Sequence, residues 1–121
     1  MNYQKKNVYE ALMEKEISHE GMGVNEKNRL FSKVDFQSPL DFIDYVIVPP
    51  QSSIGVHRHG NNEEIYFIVN GAGNMVLGES EIQIKAGDVI VNPIGGTHGL
   101  MNNSDANISI LVFQVSMQKG V

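Results

Sequence analysis

Cysteine is absent from this sequence, so it can form no disulfide, no zinc–thiolate or iron–sulfur site and no thiol nucleophile. Any metal ion must therefore be held by histidine, aspartate, glutamate or neutral oxygen donors. Basic residues are also few. The 9 Lys and Arg are outnumbered by 14 Asp and Glu, and the formal net charge is −5 at pH 7. They form no stripe that could follow a phosphate backbone, so we expect no nucleic-acid partner.

Long apolar runs are missing as well. The longest, residues 108–115, is too short to cross a bilayer. Residues 1–16 mix charges throughout and lack the apolar core of a signal peptide. We therefore expect no membrane partner and a cytoplasmic protein. With 121 residues, of which 41% are hydrophobic, the chain is long enough for one globular domain with its own core.

The N-terminal segment differs in pattern from the rest of the chain. Good helix formers with an apolar face predict a short helix over residues 8–17, and residues 18–23 predict a stop and a flexible connection. We expect these to form an N-terminal arm over residues 1–24, outside a main domain at residues 25–121. His19 lies in the connection, where we expect a surface side chain, with a position at a pocket mouth as the alternative.

Short strands dominate from residue 29 onward. β-Branched and aromatic runs are separated about every 8–12 residues by turn-forming dipeptides, a spacing typical of an antiparallel sandwich or barrel. No crossover helices are predicted, which argues against a parallel α/β sheet. The predicted strands are residues 29–34, 42–48, 53–59, 64–69, 73–77, 81–85, 88–92, 98–101 and 107–115.

The predicted strand 64–69 is largely apolar on both faces, because its even-numbered and odd-numbered residues both include large hydrophobic side chains. This pattern predicts burial on both sides. The outer face would then be covered by the N-terminal arm or by a second subunit. We therefore predict a homodimer.

Residues 57–64, His-Arg-His-Gly-Asn-Asn-Glu-Glu, contain the strongest chemical signal. In a strand, His57 and His59 project from the same face. The turn-forming residues 60–62 would bring a following glutamate, Glu63 or Glu64, back toward them. Two imidazoles and a carboxylate make up most of a transition-metal site. A solvated polar hairpin tip remains the alternative.

A fourth ligand is available from the stretch 87–98. Residues 88–92 predict a buried strand that Pro93 ends, and Gly95-Gly96 permits a tight left-handed path. His98 would then begin a strand able to lie beside the first two histidines.

These residues resemble the motifs of the cupins, which are small double-stranded β-helix (jelly-roll) barrels. The first family motif, G-x5-H-x-H-x3,4-E-x6-G, is matched except at its opening glycine, where this chain has Gln51. If that turn needs a positive φ, a non-glycine residue costs about 1 kcal/mol there. The second motif, G-x5-P-x-G-x2-H-x3-N, is matched in full. The matching positions are His57, His59, Glu64 and Gly71 in the first motif and Gly87, Pro93, Gly95, His98 and Asn102 in the second.

The resemblance implies one divalent transition metal (Fe, Mn, Ni, Co or Zn) held by His57, His59, Glu64 and His98. Glu64 is chosen over Glu63 because the family spacing to Gly71 counts from it, which leaves Glu63 as a rim charge.

Other residues near the motifs have alternative roles. Tyr66 shares strand parity with Glu64, so it is a candidate catalytic residue or else a core tyrosine. Arg58 should face away from the ligands, and Asn102 should tie a loop or support His98.

For function, the resemblance implies a metal-dependent enzyme of dioxygenase, isomerase, decarboxylase or lyase type. Its substrate would be a small hydroxy, keto or carboxylate metabolite. Two alternatives remain: a non-catalytic ligand-binding or sensor barrel, and a barrel whose metal is structural. A two-barrel oxalate enzyme would need twice this length.

Overall fold

Two antiparallel β-sheets enclose the hydrophobic core in the computed structural model, which describes residues 3–117. One sheet has six strands in the order β1-β2-β3-β10-β5-β8, and the other has four in the order β4-β9-β6-β7. Ten strands occur within these residues: β1 (Glu14–Glu16), β2 (Asn25–Ser32), β3 (Leu40–Val48), β4 (Ser53–Arg58), β5 (Asn62–Asn70), β6 (Ala72–Leu77), β7 (Ser80–Lys85), β8 (Val89–Asn92), β9 (Thr97–Met101) and β10 (Ile108–Ser116).

The nine predicted strands all have counterparts among β2 to β10, and the all-β barrel is confirmed. Its core lies between the sheets, where alternate residues of facing strands point inward. The fully buried side chains Ile68, Met75, Ile108 and Ile110 belong to it. Burying each such side chain contributes about 1.5–3 kcal/mol.

The N-terminal segment does not form the predicted continuous helix. Within residues 8–17, Val8–Glu10 form a single 3₁₀ turn and Glu14–Glu16 form β1, which pairs with residues 25–27 of β2. Tyr9 and Leu12 are 76% and 84% exposed, so the apolar face of a helix would have nothing to pack against. Because short isolated helices are marginal in water, pairing with β2 is the better use of the backbone groups.

Gln51, the one departure from the family motifs, adopts a left-handed conformation with φ 62°. Its backbone N–H donates to the carbonyl of Asn102 at 2.8 Å, which ties the turn to the loop after β9. A side chain in this conformation costs about 1–2 kcal/mol that glycine would avoid. The turn therefore keeps the geometry for which the motif uses glycine.

The outer face of β5 is not buried within the chain. Phe67 is 41% exposed, and Val89 on the neighbouring β8 is 61% exposed. The N-terminal segment cannot cover this face, since β1 pairs with β2 at the opposite edge of the sheet. Of the two predicted covers, the N-terminal arm does not reach this face, and a second subunit stays a prediction. None of the helical segments in residues 3–117 is long and apolar enough to span a membrane.

Candidate metal centre

Four side chains from the two sheets meet at one point between them. His57 lies on β4 directly opposite His98 on β9, His59 follows β4, and Glu64 lies on β5. Their ligand atoms lie within 4.8 Å of one another, and all but His57 are buried. The structure thus brings together the four residues that the resemblance implied.

Backbone and side-chain acceptors orient two of the imidazoles. The Nδ1–H of His57 donates to the carbonyl of Gly55 at 2.8 Å, and that of His59 donates to Oδ1 of Asn62 at 2.5 Å. In each ring the proton is then on Nδ1 and the lone pair is on Nε2. Hydrogen bonds of this kind are typical of metal-binding histidines, because they fix the tautomer that leaves Nε2 free.

The Nε2 atoms converge as ligands of one ion would. Those of His59 and His98 are 2.6 Å apart, and Oε1 of Glu64 lies 3.6 Å and 3.4 Å from them. The buried Nε2 of His57 has no hydrogen-bond partner within residues 3–117. Bonds of about 2.0–2.2 Å to one ion place neighbouring ligand atoms about 3 Å apart. The donor set therefore fits a divalent metal, which would satisfy nitrogen atoms that otherwise face one another.

Burial shifts the pKa values of the cluster in the direction that suits metal binding. It lowers the pKa of His98 to about 3, with the positive forms of His57 and His59 acting in the same sense. Burial also lowers the pKa of His57, although the hydrogen bond that His57 donates to the carbonyl of Gly55 acts in the opposite direction. These imidazoles are thus neutral near pH 7, the form that binds metal. Burial raises the pKa of Glu64, partly offset by His59, and a bound cation would lower it again.

Tyr66 lies beside the cluster on the same inner face as Glu64. Its ring is buried and meets the ring of His98 edge-on, with the centroids 5.3 Å apart. Burial, reinforced by the charge of Glu64, raises the pKa of the Tyr66 hydroxyl well above its usual value. The hydroxyl therefore remains protonated near neutral pH and is a hydrogen-bond donor beside Glu64.

The cluster opens into a cavity of about 440 Å³. Beyond the histidines, its wall contains two ion pairs, Lys27 with Glu16 and Arg29 with Asp44. The cavity lining also includes Ser18, His19, Phe42, Val46, Ile54, Arg58, Gly60, Asn62, Tyr66, Val112 and Gln114.

His19 is part of the cavity wall. From the sequence we expect a surface side chain, with a position at a pocket mouth as the alternative. The exposed ring of His19 stacks on that of His57, with centroids 3.5 Å apart and planes 8° apart. His19 and the following Glu20 both have positive φ, 50° and 58°. Backbone strain of this kind concentrates at functional sites, because the surrounding structure must hold it in place. His19 is therefore both a surface residue and a residue of the cavity mouth.

Three other candidates lie outside the cluster. Glu63 is not part of the cavity lining. Arg58 is exposed at the cavity rim, where its Nε donates to the carbonyl of Gly95 at 3.2 Å. The amide of Asn102 makes hydrogen bonds to Val48, Ser104 and Ala106, which tie a loop, and none of these bonds involves His98.

Comparison with known proteins places this geometry in a family. The sequence model of the cupin domain family matches residues 44–114 of this chain. An oxalate-binding protein of Thermotoga maritima is 32% identical over 91 residues, which cover 75% of each chain.

Two solved structures extend the comparison. The crystal structure of a predicted oxalate decarboxylase from Thermotoga maritima superposes with a TM-score of 0.90 and 27% identity, over 94% of this chain and 100% of that one. The polyketide cyclase RemF of Streptomyces resistomycificus shares the fold, with a TM-score of 0.80 at 15% identity over 98% of this chain and 83% of its own.

Proposed function

The chain belongs to the cupin family, and on that premise we propose that it is a metal-dependent enzyme acting on a small carboxylate with a hydroxy or keto oxygen. The ion would be a divalent Fe, Mn, Ni, Co or Zn held by His57, His59, Glu64 and His98. The observation that carries this proposal is the buried three-histidine, one-glutamate cluster at the end of an open cavity.

The charge of the cluster favours an anionic ligand. Three neutral imidazoles and one carboxylate leave a divalent ion with a net charge of +1, and a six-coordinate ion would keep two positions for a chelating ligand. When bound, such an ion supplies a Lewis acid that polarises carbonyl or carboxylate oxygens. The names of two relatives, one oxalate-binding and one a predicted oxalate decarboxylase, support a small carboxylate as the ligand class.

This chain's own residues would bind and orient the ligand. The protonated hydroxyl of Tyr66 lies next to Glu64, where it can donate a hydrogen bond to a ligand oxygen. His19, whose ring stacks on that of His57, narrows the cavity mouth. The match to the predicted oxalate decarboxylase covers the whole of that chain, so that protein is also a single barrel. This supports a role that needs no second barrel.

A non-catalytic carboxylate-binding protein is the second candidate. The name of the oxalate-binding relative favours it. It is also favoured by the cavity wall, because the acids Glu16 and Asp44 are engaged in ion pairs and are poorly placed to transfer protons. Turnover distinguishes the two candidates.

The test begins with elemental analysis of protein purified without added metal, followed by calorimetric titration with oxalate. We expect about one transition-metal ion per chain and oxalate binding that disappears after chelation. Consumption of a bound hydroxy or keto acid would identify an enzyme, whereas tight binding without turnover would identify a binding protein. A bound metal with no affinity for any small carboxylate would contradict both and indicate a structural ion.

We also propose that the chain forms a homodimer through the outer face of the six-stranded sheet. Cross-strand register places Ile65 and Phe67 of β5 beside Leu111 and Phe113 of β10 and beside Val89 and Val91 of β8. Contiguous apolar surface of this kind is typical of protein–protein interfaces, and a second copy of the chain has a complementary face of the same character.

Val89→Glu is expected to convert the dimer to a monomer, because it buries an unpaired carboxylate in the apolar interface. Val34→Glu is the matched control, since Val34 is 90% exposed on a turn away from this face. Sedimentation velocity of both variants makes the comparison. A wild-type monomer, or a Val89→Glu protein that sediments like the wild type, would refute the proposed interface.

A further inference from the structure

The cavity is larger than a two-carbon diacid requires. A volume of about 440 Å³ falls within the range of sites that enclose ligands of drug size. The metal cluster occupies one end only, and the rest of the cavity extends across β10 and β3 toward β2. The residues at that far end therefore indicate which second functional group the substrate has, in addition to its metal-binding group.

Arg29 lies at the far end of the cavity, and its guanidinium is held in a fixed orientation. Its Nε donates to Oδ1 of Asp44 at 2.9 Å and its Nη2 donates to Oδ2 at 3.1 Å, which makes a two-point ion pair. Its guanidinium carbon lies 4.2 Å from the centroid of the Phe42 ring. These contacts fix the plane of the guanidinium. The hydrogen bonds that Arg29 donates to Asp44 raise its pKa, so it stays cationic.

The fixed guanidinium has unused donors. Arginine has five N–H groups, and the pair with Asp44 uses two of them. The side chain of Arg29 is 46% exposed whereas that of Asp44 is 5% exposed, so the remaining donors are on the accessible side. They suit a planar carboxylate, which accepts two parallel hydrogen bonds.

Sheet register sets the distance between Arg29 and the metal cluster. Phe42, over which the guanidinium lies, pairs with Gln114, and Gln114 pairs with Glu64. The guanidinium is therefore about two strand spacings from the strand of Glu64, of the order of 10 Å. A chain of a few carbon atoms, bound to metal at one end and hydrogen-bonded at the other, spans this distance.

Building on the proposed function, we propose that the cavity binds a dicarboxylate longer than oxalate, with a keto- or hydroxy-acid end at the metal cluster and a distal carboxylate on Arg29. Arg29 then determines specificity for the length and the charge of the substrate. Lys27, paired with Glu16 in the same wall, adds positive charge that lies near the distal group but is already compensated.

A matched pair of ligands tests this assignment on the metal-containing protein. α-Ketoglutarate and α-ketovalerate share the chelating end and the chain length, but the second ends in a methyl group. Calorimetry should show α-ketoglutarate binding at least about 10-fold more tightly, since a hydrogen-bonded ion pair is worth about 1.5–3 kcal/mol. In the double variant Arg29→Gln/Asp44→Asn this preference should fall to within about threefold.

The double variant is used because Arg29→Gln alone would leave a buried Asp44 unpaired. Oxalate should bind the double variant and the wild type within about threefold of each other, which shows an intact metal end. The double variant loses one positive and one negative charge, so its net charge equals that of the wild type and a long-range charge effect cannot account for a lost preference.

Three results would overturn the assignment. The first is oxalate binding with no preference for α-ketoglutarate, which leaves the proposed function standing. The second is a preference that survives in the double variant. The third is failure of oxalate and both keto acids to bind the metal-containing wild type, which overturns the proposed function as well.

Discussion

His98→Ala is expected to abolish stoichiometric metal binding while leaving the barrel folded. The loss follows from geometry, because Nε2 of His98 lies 2.6 Å from Nε2 of His59 and 3.4 Å from Oε1 of Glu64, at the centre of the donor set. Removing an outer-shell partner of a metal ligand typically costs 10–100-fold in affinity. Removing a ligand should cost more, so we expect a loss of at least about 100-fold.

The fold should survive because the core depends on other side chains. Ile68, Met75, Ile108 and Ile110 are fully buried and belong to strands of both sheets. The substitution also removes a buried Nδ1 that has no partner within residues 3–117. Far-UV circular dichroism should therefore match the wild type.

His19→Ala is the matched control for metal content. His19 is the remaining histidine of the chain and stacks on His57, but it is exposed and lies outside the four-residue cluster. Elemental analysis should find about one ion per chain in this variant and almost none in His98→Ala. Stoichiometric metal in His98→Ala would mean that His98 is not a ligand.

The cluster could be predicted because its geometry follows from local rules. His57 and His59 are two apart on an extended segment, a turn returns Glu64 to them, and Gly95, with φ 72°, lets the chain reach His98. Each step depends on strand period or on turn-forming residues, both of which are visible in a sequence. The resemblance to cupin motifs then selected Glu64 over Glu63.

The cavity wall could not be predicted in the same way. His19 reaches the cluster through two consecutive left-handed residues, neither of which is glycine, so no propensity indicates the turn. The pairing of Arg29 with Asp44 depends on the register of β2 with β3, where a bulge follows Arg29. A bulge changes which side chains share a face, and the sequence pattern does not locate it.

Two other features could not be predicted from the sequence pattern: the strand in the N-terminal segment and the cover of the outer sheet face. Three residues of β1 are too few for a strand period to be seen, while the residues around them have helical propensity. On β5, the apolar outer face signalled a covered surface, but a sequence cannot say whether the cover comes from the same chain or another. In the structure Phe67 is partly exposed, so cover by a second subunit stays a prediction.

Asn102→Ala is expected to lower the free energy of unfolding by about 3–5 kcal/mol, because all four hydrogen-bonding positions of this buried amide are used. Its Nδ2 donates to the carbonyls of Val48 and Ala106 at 2.8 Å each. Its Oδ1 accepts from the backbone N–H and the hydroxyl of Ser104, at 3.0 and 2.7 Å. Alanine would leave the carbonyl of the fully buried Val48 without this partner.

Thermal unfolding would measure this loss as a decrease in Tm of about 10–20 °C. Asn103→Ala is the matched control, since Asn103 is the exposed neighbour in the same turn and should change the free energy of unfolding by less than about 0.5 kcal/mol. Metal content distinguishes the two roles predicted for Asn102, which are tying a loop and supporting His98. A folded Asn102→Ala protein at low temperature should still hold its ion, because the hydrogen bonds of the amide tie residues 102–106 to the end of β3 and none of them involves His98. A similar Tm for the two variants would show that the amide does not stabilise the loop. Loss of metal from folded Asn102→Ala would show that it supports His98.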